Sequence, residues 1–328
     1  MAELDLRGLV ASTREKLSNK WKESISERSP LIQVVEERGN VLQVEDGGRE
    51  FNEPAIIDNV STVRAYKGTD KFNVSQQGGL DKFTHTPAFI GVPIFMSDTE
   101  LAMNAGSPAA VSLLEGRMKQ ARISKLDEWD SYLTGAFGSA TTNQDEWLGI
   151  QDIISDDNTV NIPGTGIDRT AFEKTRNQVE DEAIATQAAF NTNQAGRDLM
   201  TRLYLACSFK SERPTLGLFT RTVWTAYNLS LQANERFNGN MSKANGGFPF
   251  ITFMNDMKVT WGDNVAAGHG YFINPNFLKL KVLKKKFMKL RDFQFSYDQD
   301  SEVALLTSGG QLTCGAPRYQ GVFPNMGF

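Results

Sequence analysis

The longest stretch of the chain with a single period runs over 106–135. Val111, Leu114, Met118 and Ala121 recur there at helical spacing, and Leu126, Trp129 and Leu133 continue the stripe after a small drift in phase. Ser107 stands where a capping side chain is wanted, and Pro108 where a missing N–H costs nothing. Lys119, Arg122, Lys125, Asp127, Glu128 and Asp130 fall mostly off the stripe, and Gly135 and Gly138 supply the stop. The spacing predicts a rod over 108–134 of roughly 40 Å, longer than the usual three turns. Such a rod serves either as a core helix of an α+β protein or as a spine between lobes.

Ahead of the rod the periods are short. Ser12 and Glu15 fit a capping box, and Leu17, Trp21 and Ile25 share one face, which predicts a helical arm within 1–30. A helix so short needs a surface to rest on, in its own body or on a neighbouring subunit. Leu31, Val34 and Val35, then Val41, Leu42 and Val44, read as short strands around a Gly39-Asn40 turn. Residues 62–66 alternate as an exposed strand would, and 92–95 read as a return strand near an edge. Between them, 65–87 carries only six apolar residues in 23, too few for a core of its own. The segment is a surface excursion or a two-stranded flap whose Tyr66, Phe72, Leu80 and Phe83 rest on another chain. An isolated hairpin is marginal in water, so a neighbour would give the flap a reason to persist. Ser97 and Glu100 open a short capped helix ending at Met103.

Beyond the rod, 136–170 is a polar loop holding an apolar island of Trp147, Leu148, Ile150, Ile153 and Ile154, with a lobe boundary near 150. Residues 171–187 allow a helix through Phe172, Val179 and Ala183. Helices are predicted over 197–209 and 222–236, with a buried strand over 214–219 between them. From 248 the chain turns to strands: 248–253, 257–261, 271–273, 277–282, 303–306, 312–314 and 319–323. No internal repeat is evident.

Composition narrows the class. At 328 residues, 40% hydrophobic and 23% charged, the chain suits one large domain or two modest ones. A net charge of −4 argues against nucleic-acid binding by charge for the chain as a whole. Cys207 and Cys314 lie far apart and suggest reduced thiols and a cytoplasmic folding site. The N-terminus lacks the apolar core of a signal peptide, and no apolar run approaches a membrane span, so no membrane partner is expected.

Enzyme signatures fail one by one. Only His85 and His269 exist, neither beside a nucleophile motif. No Cys-x-x-Cys or His-Glu-x-x-His pattern occurs, and Gly164-Thr165-Gly166 lacks the third glycine of a dinucleotide fingerprint. No catalytic, metal-binding or cofactor-binding residue is singled out, although plentiful carboxylates leave a hydrolase formally open. One charge cluster stands out, seven basic residues in 13 over 279–291, including Lys284, Lys285, Lys286, Lys289 and Arg291. It is either a solvated strand face with lysines blunting an edge or a patch facing phosphate or an acidic neighbour.

The order of these parts carries a resemblance. Tyr66-Lys67-Gly68 in the outgoing loop, Phe83-Thr84 before the return strand, and Ser97-Asp98-Thr99-Glu100-Leu101 with Asn104-Ala105-Gly106 belong to it. So do Arg213-Pro214-Thr215-Leu216 ahead of a helix containing Tyr227, and the ending Arg318-Tyr319-Gln320-Gly321-Val322. Over nearly its whole length the chain resembles the major capsid proteins of tailed bacteriophages, which have the α+β Hong Kong 97-type capsid fold. The resemblance implies a shell-building subunit without catalysis or cofactor, assembling as pentamers and hexamers. It implies an N-terminal arm over 1–30, the start of a P-domain over 31–49, and an extended E-loop over 50–96. A P-domain with the spine helix over 97–149, an A-domain over 150–300 and C-terminal strands over 301–328 returning to the P-domain complete the division.

In that family the E-loop lies over a neighbour's P-domain. Trp21, Tyr66, Lys67, Phe72, Leu80 and Phe83 are then the candidate inter-subunit contacts, and Lys67, Lys71 and Lys82 candidates by location for the lysine crosslinks of some members. The implied partners are other copies, a separate scaffolding protein, a portal protein and packaged double-stranded DNA on the inner face, with a decoration protein left open. The implied location is the virion, after assembly in the host cytoplasm. Two readings from other classes stand beside it: a carboxylate-based hydrolase or depolymerase, and a DNA-binding accessory protein using 279–291.

Overall fold

The computed structural model describes residues 31, 42–59, 62–68, 70–71, 78–103, 107–135, 147–231 and 250–328. The predicted arm with Trp21, and Phe72 in the loop, lie outside the described residues. The first half holds β1 (Leu42–Glu45), β2 (Phe51–Ile56), β3 (Leu80–His85), β4 (Ala88–Ser97), α1 (Asp98–Met103), α2 (Ser107–Thr134) and α3 (Ile150–Ile153). Then come β5 (Gln178–Val179), α4 (Gln187–Asn191), α5 (Ala195–Cys207), β6 (Leu216–Phe219), α6 (Arg221–Ser230), β7 (Ile251–Phe253), β8 (Met257–Trp261) and β9 (Gly270–Ile273). The chain closes with β10 (Leu278–Leu283), β11 (Lys289–Leu290), β12 (Gln294–Phe295), β13 (Ser301–Cys314) and β14 (Gly321–Phe323). Among the described residues no helix is long and apolar enough to cross a membrane.

The first sheet is built on β13. Along one side it pairs antiparallel with β4, from Ser301↔Ser97 to Gly310↔Ala88. Along the other side β12, β11 and β10 follow in turn, through Gln294↔Val303, Lys289↔Thr307 and Leu280↔Leu312. β1 then runs parallel to β10, with Leu42 opposite Leu280. Two short strands are expected here from sequence, broken around Ser308-Gly309-Gly310, but the ladder runs unbroken through 14 residues. The glycines permit a close approach rather than a break. A Cβ on Gly310 would strike the Lys281 carbonyl and the Trp147 ring.

The second sheet has the order β5-β14-β9-β6-β8-β7. Helices α4, α5 and α6 cover it, burying Phe190, Leu199, Leu203, Val223 and Tyr227 against Phe219, Phe272 and Phe323. Thr186 and Thr220 cap α4 and α6 by accepting from the amides of Ala189 and Val223. Between α3 and β5 the chain wraps around Arg169, whose buried guanidinium donates to the carbonyls of Ile153 (2.7 Å) and Val160 (3.3 Å) and to Asn177 (3.2 Å). Burial lowers its pKa to about 10, so it stays charged at neutral pH.

Several local expectations change. Residues 62–66 form no strand; the hairpin is made by β2 and β3 instead. Residues 171–187 hold a 3₁₀ turn (Glu173–Thr175), β5 and the first residue of α4 in place of one helix. The 222–236 helix begins at Arg221 and ends at Ser230, and 232–236 lie outside the described residues. Strands over 278–295, placed from sequence with the 150–300 lobe, pair with β1 and β13 in the first sheet, while β14 joins the second. Local alternation fixes which face of a strand is buried, not which sheet it joins.

Helix α2 spans 28 residues and buries Leu114, Met118, Ala121, Trp129 and Leu133. Trp129 meets Trp147 edge to face at 5.2 Å and 77°, worth about 1 kcal/mol beyond area burial. Lys125 does not lie off the stripe as expected. It falls four residues after Ala121 and four before Trp129, is buried, and donates to the Leu306 carbonyl of β13 at 3.3 Å. Desolvation lowers its pKa to about 7.

An unfolded lysine holds its proton up to its ordinary 10.5, whereas Lys125 in the folded chain releases it near 7. Between those values the unfolded chain binds the extra proton, so stability climbs as pH rises from 7 towards 10.5 and is lower below 7. Lys125→Met is expected to raise stability at pH 7 by roughly 1–3 kcal/mol and to flatten that slope. Urea midpoints at pH 7, 8 and 9 measure both; a less stable variant with the slope intact contradicts the assignment.

Candidate inter-subunit surface

The β2–β3 hairpin is the root of the long polar excursion. Its ladder runs from Phe51↔His85 through Glu53↔Phe83 to Ile56↔Leu80. With period two, Phe51, Glu53 and Ala55 face the body while Asn52, Pro54 and Ile56 face out. Glu53 is the polar member of the inward row. Its carboxylate accepts from Lys279 at 2.9 Å and Lys281 at 2.8 Å, both on β10, and from Thr313 of β13 at 3.4 Å. Lys281 also donates to the Asn52 carbonyl at 3.1 Å. Burial acts to raise the Glu53 pKa, but the hydrogen bonds from Lys281 and Lys279 outweigh it and hold the carboxyl below its usual range. Beside it His85 is fully buried with neither ring nitrogen hydrogen-bonded, and desolvation lowers its pKa to about 4, leaving the ring neutral.

Beyond this root several described apolar residues are exposed. Tyr66 is 64% exposed and Leu80 84%, and Ile56 and Val63 are likewise exposed. Lys67 is exposed in a turn where its amide donates to Asp70 at 3.0 Å and the Asp70 amide donates back to the Lys67 carbonyl at 3.2 Å. Phe83 is a correction. It is 1% exposed and belongs to the chain's own core, so it anchors the hairpin and offers nothing to a neighbour. Read as loop, it was pooled with Leu80; as strand, the two sit on opposite faces. The ion group Glu53–Lys279–Lys281 was not foreseen, although a Glu between Phe51 and Ala55 on an apolar row is its signature in the sequence.

The basic segment divides in two. Lys279 and Lys281 turn inward to Glu53, whereas Lys284, Lys285, Lys286, Lys289 and Arg291 are exposed. Lys284 pairs with Asp46 at 3.1 Å, and the Lys286 ammonium lies 4.6 Å from the centre of the Phe89 ring. These contacts fit lysines dressing the end of a sheet.

The two histidines have different surroundings. His85 is sealed in the root. The His269 Nε2 lies 3.0 Å from an Asp156 carboxylate oxygen and its Nδ1 2.8 Å from the Ala267 carbonyl, and the Asp156 hydrogen bond raises its pKa. Both ring nitrogens thus lie against oxygens of the same chain. Among the described residues no group of three or more His, Cys, Asp or Glu is disposed to hold a metal ion. A cavity of about 560 Å³ lies beside the root, walled by Lys174, Lys210, Lys279, Arg318, Phe277 and Tyr319, with Glu53 its single carboxylate. A carboxylate-pair hydrolase needs two acids across a cleft, and this one is cationic.

No protein-family model matches the chain, and no curated protein does. Solved structures do. The capsid asymmetric unit of Cyanophage A-1(L) superposes with a TM-score of 0.63 at 13% identity, over 89% of this chain and 91% of that one. The capsid of a native GTA particle gives 0.59 at 11% identity, over 89% and 90%. The holo-SrpI encapsulin complex of Synechococcus elongatus PCC 7942 gives 0.54 at 11% identity, over 88% and 86%.

The ion group and the buried imidazole both make the hairpin root sensitive to acid. Glu53, with its pKa depressed, contributes stability that is present above the unfolded carboxylate value and lost as pH falls through the folded one. His85 accepts a proton near 6.5 when unfolded and only near 4 when folded, so stability falls by about 3 kcal/mol as pH drops across that window. Denaturant midpoints between pH 7 and 4 should therefore decline, and His85→Phe should flatten the limb between 6.5 and 4. Glu53→Gln, which leaves two lysines facing a neutral group, is expected to cost about 3 kcal/mol at pH 7.

Proposed function

We propose that this chain, which has the Hong Kong 97-type capsid fold, is the major subunit of a protein shell, assembling with copies of itself as pentamers and hexamers around the double-stranded DNA of a tailed phage. The observation that carries the reading is the extent of the likeness: about nine-tenths of this chain and of each shell protein superpose. A shell requires many modest interfaces closed by symmetry rather than one deep site. The exposed side chains of the excursion supply such a surface. Tyr66, Lys67 and Leu80 stand out from a root fixed to its own sheet, in position to lie over a neighbour.

In this reading Trp21 and Phe72 belong to segments that also meet neighbours, and the partition into arm, E-loop, P-domain and A-domain is kept with the strand crossings found above. A scaffolding protein and a portal protein are the further partners, the virion is the destination, and no catalytic step is required. The exposed lysines over 284–291 act as a dressed sheet end rather than a nucleic-acid site, since Lys284 and Lys286 are engaged by Asp46 and Phe89 of the same chain.

Negative-stain micrographs of purified full-length protein should show closed particles or free pentamers and hexamers. Deleting 69–78, which leaves every β2–β3 pair intact, should give a folded chain by circular dichroism that assembles poorly. Undiminished particle formation by that variant would remove the excursion from the assembly interface.

A further inference from the structure

The cations around the cavity at the hairpin root are unequally engaged. Lys279 is held by Glu53 at 2.9 Å, and Lys174 reaches the largely exposed Asp58 at 4.0 Å. Lys210 and Arg318 meet no carboxylate among the described residues; both lie over the Phe209 ring, at 5.5 and 4.2 Å. Phe277 and Tyr319, also on the cavity wall, stack on each other with centroids 4.5 Å apart and planes within 11°. Cations and aromatic rings lining one cavity suit a ring flanked by carboxylates. The volume of about 560 Å³ is that of a site taking a few side chains.

The chain carries such a segment. The turn between β12 and β13, residues 296–300, reads Ser-Tyr-Asp-Gln-Asp. It is fastened by the Ser296 amide donating to the Ser301 carbonyl at 2.9 Å and the Ser301 amide to that of Gln299 at 2.8 Å. Tyr297 is fully exposed at 101%, and Asp298 and Asp300 are exposed and join no ion pair among the described residues. The turn cannot reach its own cavity. It precedes Ser301 at one end of β13, while the cavity begins at Gly315, just past the other end. A strand of 14 residues sets the two roughly 40 Å apart.

We propose that the cavity receives the 296–300 turn of a second copy of this chain, with Tyr297 against Phe277 and Tyr319, and Asp298 and Asp300 against Arg318 and Lys210. The contact is head-to-tail, because the two surfaces differ, and therefore propagates into rings or lattices. It rests on the shell reading only for the supply of neighbouring copies. The exposed lysines over 284–286 are the competing partner for the acidic turn, but Lys284 is already paired with Asp46, whereas Lys210 and Arg318 meet no carboxylate among the described residues.

Charge exchange tests the contact. Asp298→Lys with Asp300→Lys, and separately Lys210→Glu with Arg318→Glu, should each reduce particle yield by about tenfold or more, and the four changes together should restore it. In parallel, a synthetic peptide of residues 294–302 is titrated onto dissociated wild-type chain. It should bind with salt-sensitive affinity that falls about tenfold on Tyr297→Ala in the peptide. The peptide arm needs no altered protein to fold. Reversals without effect, no restoration by folded combined variants, no peptide binding, or loss of binding on reversing Lys284, Lys285 and Lys286 instead would each overturn the proposal. Wild-type chain that forms no particles while the peptide binds would count against the shell reading and leave this contact supported.

Discussion

A carboxylate held between two lysines fixes the relation between the polar excursion and the body. Glu53 comes from β2, while Lys279 and Lys281 come from β10, more than two hundred residues later in the chain. Removing Glu53 would leave the buried Lys281 with only the part-exposed Glu45, 3.8 Å away, which is costlier than never having placed the lysine there. The hairpin root is therefore set on the first sheet by a directional contact that also specifies register. A one-residue slip would turn Phe51, Ala55 and Phe83 outward along with Glu53. The chain leaves β2 at Ile56 and re-enters β3 at Leu80 from a defined point on the body, and the sequence between them is too polar to build a core of its own.

The sheet beneath owes its form to β13. A strand paired from Ser301 to Gly310 with β4 on one side, and with β12, β11 and β10 in succession on the other, sits inside the sheet over most of its length. Its glycines let the neighbouring backbone and the Trp147 ring come close. The spine helix α2 lies on this sheet through Leu114, Met118 and Trp129, and Lys125 reaches across to the Leu306 carbonyl. Toward the second sheet the same helix is tied by Asn264, which donates to Asp130 at 2.8 Å.

Much of this was legible in the residues, for physical reasons. The stripe from Leu114 to Leu133 marked α2, and the alternation of Leu278, Leu280 and Val282 with Lys279 and Lys281 marked β10. What alternation cannot convey is the identity of the partner. Lysines opposite a buried row look solvated until Glu53 is placed against them, and Lys125 looks like an outer-face lysine until a backbone carbonyl is found within reach. Phe83 and Leu80 look alike in a polar segment, and only strand pairing separates the anchor from the bare side chain. Ser308-Gly309-Gly310 looks like a turn because nothing local says that Trp147 needs the room. The fold class was recoverable from the order of motifs; the electrostatics of the hairpin root was not.

The two sheets are joined where β9 passes to β10 and β13 to β14, and these crossings are bound side by side. The Asn274 amide donates to Gln320 at 2.7 Å, and Gln320 donates back to the Asn274 carbonyl at 3.1 Å, beneath the stacked Phe277 and Tyr319. One apolar cluster runs continuously from Trp129 and Leu312 in the first sheet to Leu218, Ile273 and Val322 in the second. A body so tied bends little at its waist. Copies placed at sites of unequal curvature in a closed surface would accommodate the difference at the seams between them, leaving each body unstrained.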